Sequence, residues 1–369
     1  MKLRYKILNG LLVLIAVVIV SLALALSHDS PCGPAPAAVT VPHAMRAIVH
    51  RCYGGAELLR LESVAQPVPA DDELLVKVHA ASVNPLDWHY VAGTPYIVRL
   101  DSGFDAPKDT RLGVDFAGTV EAVGRSVRRF KPGDEVFGGR TGAFAEYLTV
   151  RESRAVALKP SNVTFEQAAA IPIAAITALQ ALRDKGGIRP GQQVLINGAS
   201  GGVGTFAVQL AKFFGAEVTG VCSTRNVELV RTLGADHVID YTREDFTRGA
   251  GRYDLIVDNV GSHSLLAYRR VLNPGGALVI VGGPSNGNWL GPMSGMLAAL
   301  ALSPFVSQKV EPILAQLNGK DLETLGDLMQ AGKLTAAIDS SFPLADAAEA
   351  IRYVQAGHAR GKVVISVSP

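Results

Sequence analysis

The segment that most constrains the fold is residues 191–212, where a short apolar strand leads into a glycine-rich turn and then into a helix with one apolar face. Val194–Ile196 is apolar throughout, as in a buried strand. Three large apolar residues recur at helical spacing after the turn: Phe206, Leu210 and Phe213. Glycines in such a turn let the backbone approach a phosphate, and the free N–H groups of the first helical turn attract its charge. The segment therefore predicts a phosphate cradle.

The next predicted strand, Glu217–Cys222, ends in Ser223-Thr224-Arg225. A protein that prefers NAD carries an acidic residue at this point, which binds the 2′-hydroxyl of the adenosine ribose. This stretch has no carboxylate, whereas Ser223 and Arg225 are hydrogen-bond donors that suit a 2′-phosphate. The sequence thus predicts NADPH as the cofactor. The alternative is that Arg225 is an ordinary solvent-facing residue.

Composition limits the class of protein. The chain has 369 residues, enough for two domains, with a formal net charge of +2, 18% charged and 48% hydrophobic residues. This balance argues against nucleic-acid binding and against disorder. The three cysteines, Cys32, Cys52 and Cys222, show no Cys-x-x-Cys spacing, so the sequence indicates neither a zinc site nor a disulfide framework.

The N-terminus differs from the rest of the chain. Lys2, Arg4 and Lys6 precede the run Leu11–Leu26, whose only polar member is Ser21. Counted from Ile7 the stretch has twenty residues, or about 30 Å of helix, which is about one hydrocarbon thickness. We therefore predict an N-terminal membrane anchor over residues 1–26; a cleaved signal peptide is the alternative. Three positive charges before the run predict a cytoplasmic N-terminus. That topology places the rest of the chain across the membrane from most of the NADPH, and the sequence does not resolve this conflict.

The remaining chain divides into a linker and an α/β fold of two domains. Residues 27–44 are Pro-rich and predict a stiff linker. Residues 45–168 alternate short strands and turns, which predicts a mostly-β domain. Residues 169–307 alternate strands and helices, the pattern of a doubly wound parallel sheet, and residues 308–369 return to the first domain.

Several motifs resemble one known family. The pattern Ala199-Ser200-Gly201-Gly202-x-Gly204, within Gly191–Lys212, resembles the signature of the zinc-independent quinone oxidoreductase (zeta-crystallin-like) branch of the medium-chain dehydrogenases/reductases. Leu233–Tyr241 and Gly357–Lys362 are most similar to the reticulon-interacting mitochondrial NADPH oxidoreductases. The resemblance covers roughly residues 45–369. It implies a GroES-like catalytic domain and a Rossmann NADPH-binding domain.

The resemblance also implies cofactor contacts in both domains. They are Asn84, Asp87, Thr177, Ser200, Gly201, Gly202, Val203, Gly204, Ser223, Arg225, Tyr241, Asn259, Gly282, Gly283, His358 and Arg360. Asn84 is expected near the nicotinamide, Ser200–Gly204 on the pyrophosphate and Tyr241 beside the adenosine phosphate. From the residue alone, Asp87 is favoured as a fold-holding or ribose-contacting carboxylate over a general acid.

The zinc alcohol dehydrogenases place a cysteine and a Gly-His-Glu around their catalytic metal. The corresponding positions here are Asn84 and Gly113-Val114-Asp115, and Val114 cannot ligate a metal. We therefore predict NADPH and no zinc. Without Lewis-acid help, hydride transfer needs an electron-poor acceptor and hydrogen-bond donors for the developing oxyanion, which favours a quinone or an α,β-unsaturated carbonyl.

Three side chains are candidate catalytic donors: Asn84, Tyr90 and Tyr96. The sequence does not decide which of them acts. The apolar segment Trp289–Phe305 is interpreted as a substrate-pocket wall or a homodimer contact, with core packing as the alternative. Two rival functions remain open at this point: a metal-free carbonyl or alcohol oxidoreductase, and an NADPH-binding protein with a structural or regulatory role.

Overall fold

The computed structural model describes residues 2–28, 31–33, 43–283, 287–289, 291 and 307–368, with the backbone alone at 2–9, 11 and 12. Its first helix, α1, spans Lys2–Ser27 and contains the apolar run. Among these residues, no helix combines the length and hydropathy needed to cross a membrane. The predicted membrane anchor is therefore not supported.

The strands of the described chain are β1 (Ala44–Val49), β2 (Arg60–Ala65), β3 (Glu73–Val83), β4 (Asp115–Val123), β5 (Glu135–Gly139), β6 (Tyr147–Arg151), β7 (Val156–Leu158), β8 (Gln193–Asn197), β9 (Glu217–Cys222), β10 (His237–Asp240), β11 (Tyr253–Asp258), β12 (Leu272–Ile280), β13 (Lys309–Pro312), β14 (Ile338–Pro343) and β15 (Lys362–Ser366). After α1 come the helices α2 (Pro85–Ala92), α3 (Arg99–Ser102), α4 (Phe165–Ala169), α5 (Pro172–Gln180), α6 (Gly202–Phe213), α7 (Val227–Thr232), α8 (Leu265–Val271), α9 (Gly319–Gln330) and α10 (Ala347–Gln355).

The catalytic domain is organised around β3. Its sheet has the order β14-β15-β3-β4-β5-β7, and β6 also pairs with β3. Its pairing with β4 shifts register between Leu75 and Val76 and again between Val78 and Ala80. Such bulges bend a strand and increase its twist, which lets one long strand bond to three partners. The prediction of a mostly-β domain is confirmed.

The nucleotide-binding domain contains a parallel sheet of order β10-β9-β8-β11-β12-β13. Strand order reverses between β8 and β11, and in such sheets ligands bind beyond the carboxyl ends of the strands at this switch point. The predicted doubly wound sheet is confirmed. The last strand, Lys309–Pro312, lies beyond residue 307, where the sequence placed the end of this domain.

Two Ala-rich helices join the domains. They are α4, which Thr164 caps, and α5, which starts at Pro172 and is followed by a π-helical turn over Ala181–Lys185. Buried residues of both domains, such as Phe137 and Phe206, belong to one continuous hydrophobic cluster around these helices. Both domains therefore share one hydrophobic core.

The segment after α1 is fastened to the catalytic domain. Cys32 and Cys52 form a disulfide with Cα atoms 5.3 Å apart, so the expectation that no disulfide is present was wrong. The guanidinium of Arg99 also binds the end of α1 and the residue that follows it, because Nη1 donates to the backbone oxygens of Leu26 and His28 at 3.0 Å each. Cysteine spacing cannot reveal this pairing, since it depends on the chain folding back after α1.

Candidate active site

The predicted phosphate cradle lies at the switch point of the sheet. β8 ends at Asn197, and Gly198 makes the turn with φ of +76°, a conformation that favours glycine. A Cβ on Gly204 would lie 2.0 Å from the Gly198 oxygen, so helix α6 packs against the turn only because Gly204 has no side chain. A Cβ on Gly201 would meet only that same oxygen, at 3.5 Å. Space thus remains above Gly201, at the positive end of α6, for an anion.

The sequence missed the role of Gly198. The glycine motif described from the sequence starts at Ala199, but the residue with positive φ is Gly198, one position earlier. The signal was present in the sequence as the dipeptide Asn197-Gly198, which is common in turns.

The C-terminal segment closes one side of the cradle. Gly201 forms an isolated parallel bridge with Gly361, and Arg225 donates from Nη2 to the backbone oxygen of His358 at 2.7 Å. His358 and Arg360 are exposed on this loop. The structure therefore brings together residues from the predicted cradle, from the end of β9 and from the C-terminal loop.

Asn226, which the sequence did not single out, connects the predicted cradle to the end of β9. Its Nδ2 donates to Ser200 Oγ at 3.0 Å and to Ser223 Oγ at 3.1 Å, which ties the cradle to the end of β9. Its Oδ1 is buried and has no hydrogen-bond partner among the described residues. Tyr241 is exposed just after β10, and its N–H donates to the oxygen of Cys222 in the neighbouring strand β9.

A second buried acceptor lies at the opposite end of the cleft. Asn259 donates from Nδ2 to the Asn197 oxygen at 2.8 Å, while its own Oδ1 is buried without a partner in the described chain. Gly282 lies so close that a Cβ on it would be 2.4 Å from the backbone oxygen of Asn259, and Gly283 is the next residue. Unpartnered buried acceptors at both ends of a glycine-lined cleft fit a dinucleotide, which carries donors at its ribose and amide groups.

Thr177 and Val203 lie on the helices beneath the cleft. Thr177 is 8% exposed, and its hydroxyl donates to the Ile173 oxygen within α5. Val203 is half-buried in the first turn of α6 and packs against the shared core. The Thr177 hydroxyl hydrogen therefore bonds to a backbone oxygen of its own helix.

A buried charged network forms the floor of the catalytic side. Lys362 Nζ donates to Asn84 Oδ1 at 2.6 Å and lies 3.5 Å from Asp115 Oδ2. Asn84 Nδ2 donates to Asp115 Oδ2 at 2.9 Å, and the other carboxylate oxygen accepts from the Ile173 N–H. Burial raises the pKa of Asp115, an effect that Lys362 opposes, and burial lowers the pKa of Lys362. Asn84 is therefore held in one orientation by a cation and an anion.

Asp87 lies beside this network and is fully buried. Its Oδ2 accepts from the Asn84 N–H at 2.7 Å and caps helix α2. Its Oδ1 has no hydrogen-bond partner among the residues that the structure describes. Burial raises the pKa of Asp87 to about 7, and the negative charge of Asp115 adds to this shift. The backbone N–H groups of Asn84 and Gly113 and the positive charge of Lys362 oppose it.

Asp87 belongs to the wall of a cavity of about 190 Å³. Other parts of this wall are Tyr90, His50, Tyr53, Leu112 and Val114. Burial raises the pKa of Tyr90, with smaller contributions from Asp101 and Asp87, so its hydroxyl stays protonated at neutral pH.

Tyr96 is placed differently from Tyr90. Its ring makes an edge contact with Trp289 at 5.1 Å, and the guanidinium of Arg99 lies 4.8 Å from the ring centre. Tyr96 is not part of the cavity wall. Most of the apolar segment Trp289–Phe305 lies outside the described residues, so its interpretation remains a prediction.

The candidate ligand positions of a catalytic metal are occupied by Asn84, which the network engages, and by Val114, which is 8% exposed. No group of three or more His, Cys, Asp or Glu side chains within the described ranges is arranged to hold a metal ion.

Comparisons with known proteins agree with this architecture. Residues 70–160 match the family described as alcohol dehydrogenase GroES-like domain, and residues 233–365 match the family described as zinc-binding dehydrogenase. The chain is 34% identical to 2-methylene-furan-3-one reductase of Solanum lycopersicum, over 95% of this chain and 86% of the relative. It is 37% identical to NAD(P)H oxidoreductase RTN4IP1, mitochondrial, of Homo sapiens, over 85% of this chain and 87% of the relative.

Among solved structures, the quinone oxidoreductase from Coxiella burnetii superposes with a TM-score of 0.77 and 31% identity, over 88% of this chain and all of that one. The extent of these similarities matches the two domains and the cleft between them. The chain therefore belongs to the medium-chain dehydrogenase/reductase superfamily, in its quinone oxidoreductase branch.

Proposed function

We propose that this protein is an NADPH-dependent oxidoreductase that reduces quinones or α,β-unsaturated carbonyls without a zinc ion. The observation that carries the proposal is the glycine cradle at the switch point, next to a buried site whose metal-ligand positions hold Asn84 and Val114. NADPH, when bound, would supply the hydride. Everything else in the reaction falls to the side chains of this chain.

The cofactor would lie along the cleft from Asn226 to Asn259. Gly201 and Gly202 would bind the pyrophosphate through backbone N–H groups, and Ser200 would bind it through its hydroxyl. The buried, unpartnered oxygens of Asn226 and Asn259 would accept hydrogen bonds from cofactor groups at the two ends. Gly282 and Gly283 would let the backbone approach the nicotinamide ribose.

Preference for NADPH over NADH would come from the end of β9. Ser223 and Arg225 stand where an NAD-specific enzyme has an acid, and the bond from Arg225 to the His358 oxygen holds the guanidinium over this edge of the cleft. Tyr241, exposed after β10, would contact the same phosphate region.

The catalytic side would stabilise and protonate the product. Tyr90 has a protonated hydroxyl at neutral pH in the cavity wall, and Tyr96 offers a second hydroxyl near Trp289. Asn84 donates both amide hydrogens to protein oxygens, those of Asp115 and Ser82. It would therefore serve mainly to shape the nicotinamide site, and the tyrosines would be the proton donors. An electron-poor acceptor fits this set, since it needs hydrogen-bond donors and no Lewis acid.

A turnover assay tests this function. The purified protein, after exhaustive chelation, should oxidise NADPH in the presence of quinones and enones, with much lower kcat/KM on simple aldehydes. Stoichiometric zinc required for turnover would overturn the zinc-independent part. Efficient reduction of aldehydes alone would favour the carbonyl reductase, and tight NADPH binding without turnover on any acceptor would favour a structural or regulatory role.

A further inference from the structure

We propose that Asp87 stores the proton consumed in this reduction, and that the cavity behind it is a water-filled passage through which solvent replaces that proton. The inference rests on the proposed reductase function and assigns Asp87 a catalytic part beyond capping helix α2. It starts from two residues that line one cavity, Asp87 and His50, each with a buried polar atom that makes no hydrogen bond within the described chain.

These atoms are Asp87 Oδ1 and His50 Nδ1. Asp87 is 0% exposed and His50 is 3% exposed, and neither atom has a hydrogen-bond partner among the described residues. Buried polar atoms in native proteins are almost always hydrogen-bonded, to protein or to ordered water. The cavity of about 190 Å³ between them can hold several waters, since one water takes roughly 30 Å³ of liquid. A chain of waters would satisfy both atoms.

The same cavity reaches solvent at its other end. Asp101, Lys108 and Asp109 are exposed residues of its wall, and Arg111 pairs with Asp109 at 2.9 Å beside them. A charged, hydrated mouth and a buried carboxyl end are the two parts that a proton passage needs.

The protonation states of the buried groups suit this role. Asp87 faces Asp115 and Lys362 on one side and the Asn84 N–H at its cap, and burial raises its pKa to about 7. It therefore carries its proton over much of the physiological range and can also release it. His50 has its pKa lowered to about 4 by burial, so at neutral pH the imidazole is neutral and serves as an uncharged partner for water.

The proton balance is simple. Reduction of a quinone or an enone consumes one hydride, from the cofactor, and one proton. The O–H bond of Tyr90 would break as its proton passes to the substrate anion, and the resulting phenolate would take the proton of Asp87 through cavity water. The Asp87 carboxylate would then be reprotonated from solvent along the passage. Tyr90 and Asp87 lie one helical turn apart on α2 and both line the cavity.

The experiment compares wild type with Asp87→Asn from pH 5 to pH 9. Asparagine keeps an oxygen for the Asn84 N–H, so the helix cap survives while the titrating proton is lost. In wild type, kcat should fall as pH rises through about 7. In Asp87→Asn, kcat at pH 6 should drop by about 10²-fold and lose this pH dependence, with the NADPH Kd within about twofold of wild type. The matched control, Asp71→Asn, changes an exposed carboxylate paired with Arg125 and should behave as wild type.

Infrared titration of the wild-type protein keeps the proposal testable if the variant does not fold. A protonated carboxylic acid should lose its carbonyl band with a midpoint near pH 7. Absence of such a band, or an Asp87→Asn enzyme with wild-type kcat at every pH, would overturn the proposal. Failure of the parent function looks different, because the wild-type protein itself would then reduce neither quinones nor enones with NADPH.

Discussion

Gly201→Ala and Gly204→Ala separate cofactor binding from folding within one turn of chain. Both changes add a single methyl group to the cradle, at positions three residues apart with different surroundings. The Gly204 methyl would meet the Gly198 oxygen at 2.0 Å and the Ala199 Cα at 2.8 Å, whereas the Gly201 methyl would make one ordinary contact at 3.5 Å. The first is a packing conflict, and the second is a projection into the proposed pyrophosphate site.

The magnitudes follow from these contacts. Overpacking at Gly204 should destabilise the fold by about 1–3 kcal/mol, because the clash is with backbone and no flexible side chain can move aside. Gly201 has φ of −85° and ψ of 178°, which any residue adopts, so stability should hardly change. Loss of one charge-assisted hydrogen bond to a phosphate is worth about 1.5–3 kcal/mol, so the NADPH Kd of Gly201→Ala should rise roughly 10–150-fold.

Two measurements on each variant are sufficient: thermal unfolding without cofactor, and titration of NADPH fluorescence. Gly201→Ala should unfold at the wild-type temperature and bind NADPH weakly, while Gly204→Ala should unfold earlier and bind weakly as well. A Gly201→Ala protein with wild-type NADPH affinity would show that the pyrophosphate does not lie against this residue. The proposed cofactor position would then have to be abandoned.

Two further predictions concern the edges of the cleft. Arg225→Ala should raise the NADPH KM roughly 10–150-fold and change the NADH KM by less than about twofold, as steady-state kinetics with both cofactors would show; equal changes would refute the 2′-phosphate assignment. Cys52→Ser opens a disulfide that joins residues 20 apart in sequence, which should lower the free energy of unfolding by about 3 kcal/mol and expose the segment after α1 to proteases. Unchanged unfolding and proteolysis, compared with Cys222→Ser as the control, would count against a formed bond.

Local patterns carried most of the fold prediction. Strand β9 has the predicted bounds, Glu217–Cys222, because its β-branched residues Val218, Thr219 and Val221 favour a strand and polar turn residues follow it. Strand β13, Lys309–Pro312, has a weak pattern, since it is short, charged and ends in proline at the edge of the sheet. Its membership depends on pairing with β12, which no local pattern expresses.

The parts of the candidate site that one continuous segment forms could be predicted from the sequence. The parts formed by segments distant in sequence could not. The predicted cradle over Ser200–Gly204 is a single local segment, and its glycine pattern indicates it. Asn226 is one of many loop asparagines until Ser200 and Ser223 are seen at its amide. The Cys32–Cys52 pairing likewise needs the path of the chain after α1.

Lys362 shows why the missing parts matter for function. A buried ammonium is costly unless it is paired, and here it is paired with Asp115 and Asn84, 278 residues away from Asn84 in sequence. The strand that starts at Lys362 pairs with β3 through Val363 and Val83, which brings the ammonium beneath the catalytic floor. The residue just before it, Gly361, bridges to Gly201 in the phosphate cradle. Gly361 and the strand that follows it thus contact both the predicted cradle and Asn84, so the same backbone aligns the proposed cofactor end and the proposed substrate end of the cleft.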